Sequence, residues 1–333
     1  MNSTADKRRV VVVTGGSDGI GAAAARMLAS RGDEVVVVGR SPEKTRAVAA
    51  ETGADYHVAD FTHLDQVRDL ARELRARHTR VDVLLNNAGL IAGPQRIVTA
   101  DGHELTFQVN HLAVFLLTML LREPLAAAQG TVITTSSRAS TARDARVVPG
   151  DLDMTDGYDA LRAYKASKLA NVLFTRELAR RWGPLGVSAA AAHPGMVRSQ
   201  WGRSGPAAVM VVMNSPFRLV MRSPERGADT LVWLATSAPG RDWESGGYFA
   251  DRKPATANRA ANDADLAAEL WDRSAQMCGL ESSAASLVVV EVVRVDRELR
   301  YARRPSGSLH QEKCIRDSGW PGQTLTKFTL AFG

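Results

Sequence analysis

Short valine-rich runs alternate with longer segments of helical period through most of the chain. We read the runs as strands at Arg9–Thr14, Glu34–Gly39, Asp55–Ala59, Val81–Asn86, Thr131–Thr135 and Val187–Ala192. The segments between them predict helices at Ile20–Arg31, Pro42–Glu51, Leu64–His78, Glu104–Ala127 and Asp159–Trp182. Because most of the runs are continuously apolar, we expect a parallel sheet with helices on both faces. This repetition predicts a doubly wound α/β fold.

The pattern loosens after Pro194, where residues Gln200 to Arg222 mix Gly, Pro, Met and Val and predict a mobile apolar flap. We then expect a helix at Pro224–Ser237, a strand at Gly247–Ala250 and a last helix at Ala264–Met277. One domain is therefore predicted over 8–280, and 281–333 is predicted to be a C-terminal appendage without a motif. Its run "SLVVVEVVRVDRELRY" can pair as an extra strand, either at the edge of the sheet or with a partner subunit.

The composition narrows the class of protein. The formal charge is +6, but the basic residues are interspersed with acidic ones and aromatic residues make up 6%, so we predict no nucleic-acid surface. Cys278 and Cys314 are far apart and lack metal-ligand spacing, so we predict neither a metal site nor a disulfide framework. A chain without disulfides fits a reducing compartment best. The longest apolar stretch, Leu112 to Leu121, is shorter than the roughly 20 residues that span a bilayer. We expect a cytoplasmic protein.

The first strand leads directly into "TGGSDGIG", and the Ala-rich helix "AAAARML" follows. Gly15, Gly19 and Gly21 thus stand where a strand turns into a helix, and glycines there let the backbone approach a pyrophosphate at the helix N-terminus. The alternative is a flexible turn without a ligand. The surrounding strand and helix favour a dinucleotide site.

The end of the second strand bears on which dinucleotide binds. Dinucleotide folds place an acidic residue about 20 positions further on, where it binds the ribose 2′-hydroxyl, but this chain has Gly39, Arg40 and Ser41 there. A guanidinium pairs with a 2′-phosphate, so we predict NADP, with NAD as the less favoured alternative. Asp18 in the glycine loop counts against NADP, and Arg40 could also simply end a strand in solvent.

Three further motifs follow in the chain. "NNAG" ends the fourth strand with Asn87 and Gly89, and "TTSSRAS" ends the fifth with Ser136 and Ser137. "YKASK" then places a Tyr and a Lys four residues apart on one helix face. Each alone is compatible with ordinary turn or surface chemistry.

TGxxxGIG, NNAG, the Asn of "FQVNHLAVF", the paired serines, YxxxK and "HPGMVRS" occur in that order. Together they closely resemble the short-chain dehydrogenase/reductase family, in its NADP-preferring, retinol-dehydrogenase-like branch, over about Arg8 to Leu280. The resemblance implies a Rossmann fold and a catalytic tetrad of Asn110, Ser137, Tyr164 and Lys168. It implies cofactor contacts at Gly15, Ser17, Gly19, Ile20, Gly21, Arg40, Asp60, Asn87, Ala88, Gly89, Tyr164, Lys168, Pro194, Gly195, Val197 and Ser199.

The chemistry expected of these groups is hydride transfer between an alcohol and a carbonyl. A tyrosine with a pKa of about 10 is a weak base at neutral pH, and we expect the Lys168 ammonium, with the charge of an oxidised nicotinamide, to lower that pKa. Tyr164 would then exchange the proton while Ser137 binds the substrate oxygen. The family assigns Asn110 to a water that links the lysine to solvent, and Ser199 to the carboxamide.

The sequence leaves three questions open. The flap suits an apolar alcohol, aldehyde or ketone, although its Met and Val residues fit ordinary packing as well. The apolar helices Glu104–Ala127 and Asp159–Trp182 would support a homo-oligomer or pack on the sheet. The alternative function is a non-catalytic protein that senses a nucleotide, which the intact tetrad disfavours.

Overall fold

The structure is a computed structural model, and it describes residues 8–198, 206 and 221–280 together with the backbone of 291–295 and 298–302. The chain divides into two compact units, Met1–Leu280 and Glu281–Gly333. The predicted flap falls almost entirely outside the described residues.

The first unit is built on one sheet of eight strands in the order β3-β2-β1-β4-β5-β6-β7-β8. The strands are β1 (Val10–Thr14), β2 (Glu34–Gly39), β3 (Asp55–Val58), β4 (Val83–Asn86), β5 (Thr131–Thr135), β6 (Ser188–Ala192), β7 (Gly247–Ala250) and β8 (Lys253–Pro254). All pairs are parallel except β7 with β8. The predicted Rossmann fold is confirmed, and the short antiparallel β8 was not predicted.

The helices connect these strands. They are α1 (Gly19–Ala29), α2 (Pro42–Thr52), α3 (Leu64–Arg77), α4 (Leu105–Phe107), α5 (Ala113–Leu120), α6 (Arg122–Ala128), α7 (Ala160–Trp182), α8 (Pro224–Thr236) and α9 (Ala264–Met277). Side chains that act as N-caps start several of them, including Ser41, Asp159 and Asp263. Parallel strands joined by helices bring the carboxyl ends of the strands to one edge, where such sheets bind ligands.

The two faces of the sheet carry separate apolar cores because successive strand residues point to opposite faces. Val12, Leu84 and Val132 pack under α3, α5, α7 and α9. Val13 and Leu85 pack under α1 and α8 on the other face. Apolar residues at consecutive strand positions are therefore buried on both sides, as the runs predicted.

The single helix predicted at Glu104–Ala127 is wrong. The segment contains α4, a π-helical turn at Gln108–Leu112, α5 and α6, and the axis bends by 64° between the stretches that end at Leu120 and begin at Arg122. Pro124 has no N–H to donate to the carbonyl four residues back, and its ring clashes with that turn, so the helix breaks. No single described helix is long and apolar enough to cross a membrane. The two parts of this bent pair together have the length and composition of a membrane span, and no other property of one is shown.

The second unit is described at two strands, β9 (Glu291–Val295) and β10 (Glu298–Ala302), which pair antiparallel. The sequence predicted one extra strand in this region.

Candidate active site

The turn between β1 and α1 needs glycine at two positions for different reasons. Gly15 has φ +63°, and a Cβ there would lie 2.9 Å from the Cα of Ala88. A Cβ on Gly21 would lie 2.2 Å from the carbonyl oxygen of Gly15. The turn therefore packs tightly on the residues after β4 and on the start of α1. The N-terminus of α1 lies at the edge formed by the carboxyl ends of the strands, where such sheets bind ligands. This shape fits the pyrophosphate of a dinucleotide.

Thr14 fastens this turn to the NNAG segment. Its hydroxyl is fully buried, donates to the Leu85 carbonyl at 3.3 Å, and accepts from the backbone N–H groups of Asn87 at 3.0 Å and Ala88 at 3.1 Å. The Asn87 amide donates to the carbonyls of Thr14 at 3.2 Å and Gly15 at 3.4 Å. Asn87 therefore shapes the glycine turn, and Thr14 is a site residue that sequence reasoning missed.

The end of β2 carries the residues predicted to choose between NADP and NAD. A Cβ on Gly39 would lie 2.6 Å from the Cβ of Ser17, so the glycine loop packs directly on this strand end. Arg40 is exposed, and no other described residue pairs with its side chain. Lys44, which the sequence analysis did not select, forms an ion pair with Asp18 at 2.9 Å. Arg40 is free to meet a ligand, and a cation offsets the charge of Asp18.

Asp60 lies just beyond β3 at the same edge. Its carboxylate accepts from the N–H of Thr62 at 3.0 Å, and its own N–H donates to Gln66 at 2.9 Å. The neighbouring Ala59 N–H donates to the Gly39 carbonyl at 3.1 Å. Asp60 is thus held beside the end of β2.

Tyr164 lies in the second turn of α7 and is buried, with 7% of its surface exposed. The side chain of Ser137, which follows β5, lies beside its hydroxyl and acts on its pKa. Burial raises the pKa of Tyr164 to about 12, against the smaller opposing effect of Ser137. We expected Lys168 to help lower this pKa; among the protein groups, burial is the larger effect and the phenol stays protonated at neutral pH.

Lys168 is buried one turn further along α7. Its Nζ donates to the carbonyl of Thr135, the last residue of β5, at 3.1 Å, and lies 5.8 Å from the centroid of the Tyr164 ring. Burial lowers the pKa of Lys168 to about 8. The lysine is thus close to the tyrosine ring, and its burial disfavours its own charged form.

The two serines after β5 have separate roles. Ser136 is buried and its hydroxyl donates to the backbone carbonyl of Lys168 at 2.7 Å. The Ser137 hydroxyl accepts from the N–H of Ala139 at 3.2 Å and lies beside the Tyr164 hydroxyl, whose pKa it lowers. Ser137 is therefore the serine that faces the tyrosine, and Ser136 joins the strand to α7.

Asn110 lies in the π-helical turn and is fully buried. Its amide accepts from the Leu90 N–H at 2.7 Å and donates to the Leu90 carbonyl at 2.9 Å and to Ser167 at 3.0 Å. A Cβ on Gly89 would lie 3.0 Å from the Asn110 amide oxygen and 3.1 Å from the Lys168 Nζ. Gly89 thus lets the NNAG backbone lie directly against both residues.

Tyr248 on β7 is a further residue that the sequence analysis did not select. Its hydroxyl donates to the backbone carbonyl of Ser137 at 3.1 Å, and burial raises its pKa to about 12. Its ring lies 5.9 Å from that of His193, whose Nδ1 accepts from the N–H of Gly195 at 3.1 Å. A buried tyrosine in a short strand gives little signal of this role before the strand order is known.

The "HPGMVRS" segment continues β6 along the site. Gly195, after Pro194, has φ +81°, and a Cβ there would lie 2.9 Å from the Nε of Arg222. Val197 is buried; its side chain and that of Ile20 both lie close to the Cβ position of Gly227 on α8. The segment therefore closes the side of the site next to α1. Ser199 lies outside the described residues.

Two other features bear on the location of the site. No group of three or more potential ligands that could hold a metal ion is found among the described residues. An open cavity of about 670 Å³ lies at the amino end of β6, lined by residues that include Arg176, Arg180, Glu244 and Ser245. It shares no residue with the tetrad, which lies at the carboxyl ends of the strands.

Comparison with known proteins gives consistent matches. The protein family described as short chain dehydrogenase matches this chain over residues 9–149. A protein described as a candidate daunorubicin C-13 ketoreductase, from Streptomyces sp. strain C5, is 45% identical over 81% of this chain and 93% of its own length. Retinol dehydrogenase 13 of Homo sapiens is 37% identical over 82% of this chain and 86% of its own length.

Solved structures agree with these sequence matches. An uncharacterised protein from Mycobacterium paratuberculosis aligns with a TM-score of 0.66 and 32% identity, over 82% of this chain and 94% of its own. A candidate NAD(P)-dependent gluconate 5-dehydrogenase from Beutenbergia cavernae was solved with NADP at low occupancy. It aligns with a TM-score of 0.53 and 30% identity, over 68% of this chain and 88% of its own. Such similarity over most of the first unit is evidence of common family membership. The chain belongs to the short-chain dehydrogenase/reductase family, in its retinol-dehydrogenase-like branch, and is an oxidoreductase that acts on CH–OH groups.

Proposed function

We propose that the protein is an NADP(H)-dependent enzyme that interconverts an apolar alcohol and its carbonyl compound, with Tyr164 as the general acid and base. One observation carries the proposal: Tyr164 is buried at the carboxyl edge of the sheet, with the Ser137 side chain beside its hydroxyl and Lys168 one turn away. A substrate oxygen placed between the Tyr164 and Ser137 hydroxyls would be within reach of both. Nicotinamide, when bound, supplies the hydride acceptor or donor.

In the direction of carbonyl reduction, Tyr164 is the proton donor. A phenol whose pKa is raised to about 12 by burial is protonated at neutral pH and is ready to donate to a carbonyl oxygen. Ser137 would donate a second hydrogen bond to that oxygen as negative charge develops. In the reverse direction Tyr164 must first lose its proton, and the nearby Lys168 ammonium would assist that loss electrostatically.

The preference for NADP is proposed from the end of β2. Arg40 is exposed there without another described partner, so its guanidinium can pair with a 2′-phosphate. Lys44 lies in the first turn of α2 and already offsets Asp18, which had counted against NADP. The solved relative from Beutenbergia cavernae contains NADP, which supports the same choice.

The proposed substrate class rests on the chain's relatives. The names of two relatives refer to the C-13 ketone of daunorubicin and to retinol, which are both molecules with a large carbon skeleton. We propose a ketone, an aldehyde or the matching alcohol on a molecule of that kind. We also propose a cytoplasmic location, because the sequence has no disulfide framework and no long apolar stretch.

The test is a turnover screen. Purified protein is mixed with NADPH and a panel of polycyclic ketones, aromatic aldehydes and polyene aldehydes, and the loss of NADPH absorbance is followed. We expect turnover with at least one member and a slower rate with NADH. If NADPH binds but no carbonyl or alcohol in the panel is turned over in either direction, the nucleotide-sensing alternative becomes the better account.

A further inference from the structure

Two buried hydrogen bonds join the end of β5 to helix α7 in opposite directions. Ser136, on the strand side, donates to the backbone carbonyl of Lys168 at 2.7 Å. Asn171, on the helix side, donates to the backbone carbonyl of Thr135 at 3.4 Å. We call this pair of side chains, Ser136 and Asn171, the β5–α7 clip. Because strand and helix each hold the other's backbone, the clip fixes the register of the Tyr164 helix against the strand end that carries Ser137.

The clip also reaches the catalytic lysine. The Thr135 carbonyl accepts from Lys168 Nζ at 3.1 Å as well as from Asn171. A carbonyl oxygen has two lone pairs and accommodates both donors. If Lys168 moves toward a bound ligand, the Asn171 amide remains on the carbonyl, so the movement does not leave a buried backbone acceptor unpaired.

The orientation of Asn171 is set by a second buried residue. The Thr135 carbonyl only accepts, so the NH₂ group of Asn171 must face it and the amide oxygen must face His111, whose Nδ1 lies 3.3 Å away. Burial lowers the pKa of His111 to about 4, so the ring carries one proton, and this geometry places it on Nδ1. Nε2 is then an acceptor. The Ser274 hydroxyl lies 2.9 Å from it and 2.7 Å from the Leu270 carbonyl, and its single proton goes to one of the two.

We propose that Asn171 and His111 are positioning residues for Lys168: His111 orients the Asn171 amide, and that amide holds the Thr135 carbonyl on which the lysine rests. The hydrogen bonds run in one direction from His111 through Asn171 to Thr135, and Ser274 on α9 lies against the other ring nitrogen of His111. The side chains of Ser274, His111 and Asn171 are nearly or completely buried, and Thr135 contributes only its backbone carbonyl. The role of Lys168 itself rests on the proposed function, but its contact with this chain of bonds does not.

The first test measures Lys168 directly, without turnover. Lysine Cε is labelled with ¹³C, and its chemical shift is titrated in the cofactor-free protein. Asn171→Asp places a carboxylate against the shared carbonyl, so the pKa of Lys168 should rise by about one unit or more. Thr175→Val is the matched control, because Thr175 is buried on the same helix and bonds only the backbone carbonyl of Asn171. An unchanged Lys168 pKa in the Asp variant overturns the proposal.

The second test measures turnover in variants that remain folded. Asn171→Leu and His111→Leu should lower kcat by roughly ten- to a hundredfold, as expected for displacement of a catalytic group by up to about 1 Å, with KM for the carbonyl substrate nearly unchanged. His111→Asn should retain most of the activity, because its amide nitrogen occupies the place of Nδ1 and can donate to Asn171.

The contrary outcomes are distinct. If both Leu variants lose no more kcat than Thr175→Val, or if His111→Asn is as impaired as His111→Leu, the side chains have no positioning role. Absence of turnover in the parent protein would count against the proposed function alone, since the lysine titration still decides on Asn171. If Asn171→Asp does not fold, the titration is done on His111→Leu, where an altered Lys168 pKa is expected and an unaltered one overturns the proposal.

Discussion

Replacing Thr14 by valine should destabilise the glycine turn by removing one oxygen. Valine has nearly the same shape, but the N–H groups of Asn87 and Ala88 lose their acceptor. An unpaired buried donor costs about 1–3 kcal/mol, so two give about 2–6 kcal/mol. Because both residues are only partly buried and water can reach them, we take the lower end, about 2–3 kcal/mol.

Thr14→Ser is the matched control, because it keeps the hydroxyl and loses one methyl group, worth about 1 kcal/mol. The assay is urea unfolding of the three proteins, with the free energy of unfolding extrapolated to water. The valine variant should be the less stable of the two, and its NADPH-induced rise in melting temperature should shrink. Equal losses of stability in the two variants would refute the argument that Thr14 acts through its oxygen.

Three further predictions concern the cofactor, pH and the C-terminal unit. Arg40→Asp should reverse the preference for NADPH over NADH in binding titrations, by placing a carboxylate against the 2′-phosphate; equal affinities in the parent and no change in the variant would show that NADP was wrongly assigned. Asp153 raises the pKa of His103 above its ordinary value of 6.5, so the stability lost in His103→Gln should be greatest below pH 6.5 and should fade as pH rises through the raised pKa. A pH-independent loss in urea unfolding would contradict this. A chain that ends at Leu280 should keep its melting temperature, oligomeric state and turnover, and a clear loss of any of these would show that 281–333 is structural.

The sequence predicted the sheet well because its signal is local. Runs such as "VVVV" and "VLLN" are apolar at consecutive positions, and only a strand covered on both faces buries them all. The break at Leu121 was missed because the apolar period continues through it, although Pro124 was visible as a cause. Strand ends differed by one or two residues, as helix and strand boundaries commonly do.

The sequence likewise predicted those features of the candidate site that depend on local spacing and missed those that depend on the fold. Tyr164 and Lys168 stand four apart on one helix, so their proximity follows from spacing. Thr14, Tyr248 and Asn171 act through contacts between residues distant in sequence, and such contacts appear only once the strand order is known. The burial of Tyr164 likewise depends on the surrounding elements, and among the protein groups it is the largest effect on the pKa of this residue.

The central claim is that Tyr164 exchanges the proton of an alcohol–carbonyl interconversion. The most direct measurement is the single-turnover rate of NADPH oxidation with a saturating carbonyl substrate in the parent protein and in Tyr164→Phe, together with the NADPH dissociation constant of each. The account predicts a rate lower by about a hundredfold or more and an unchanged dissociation constant. A phenylalanine variant that retains most of the parent rate would contradict it.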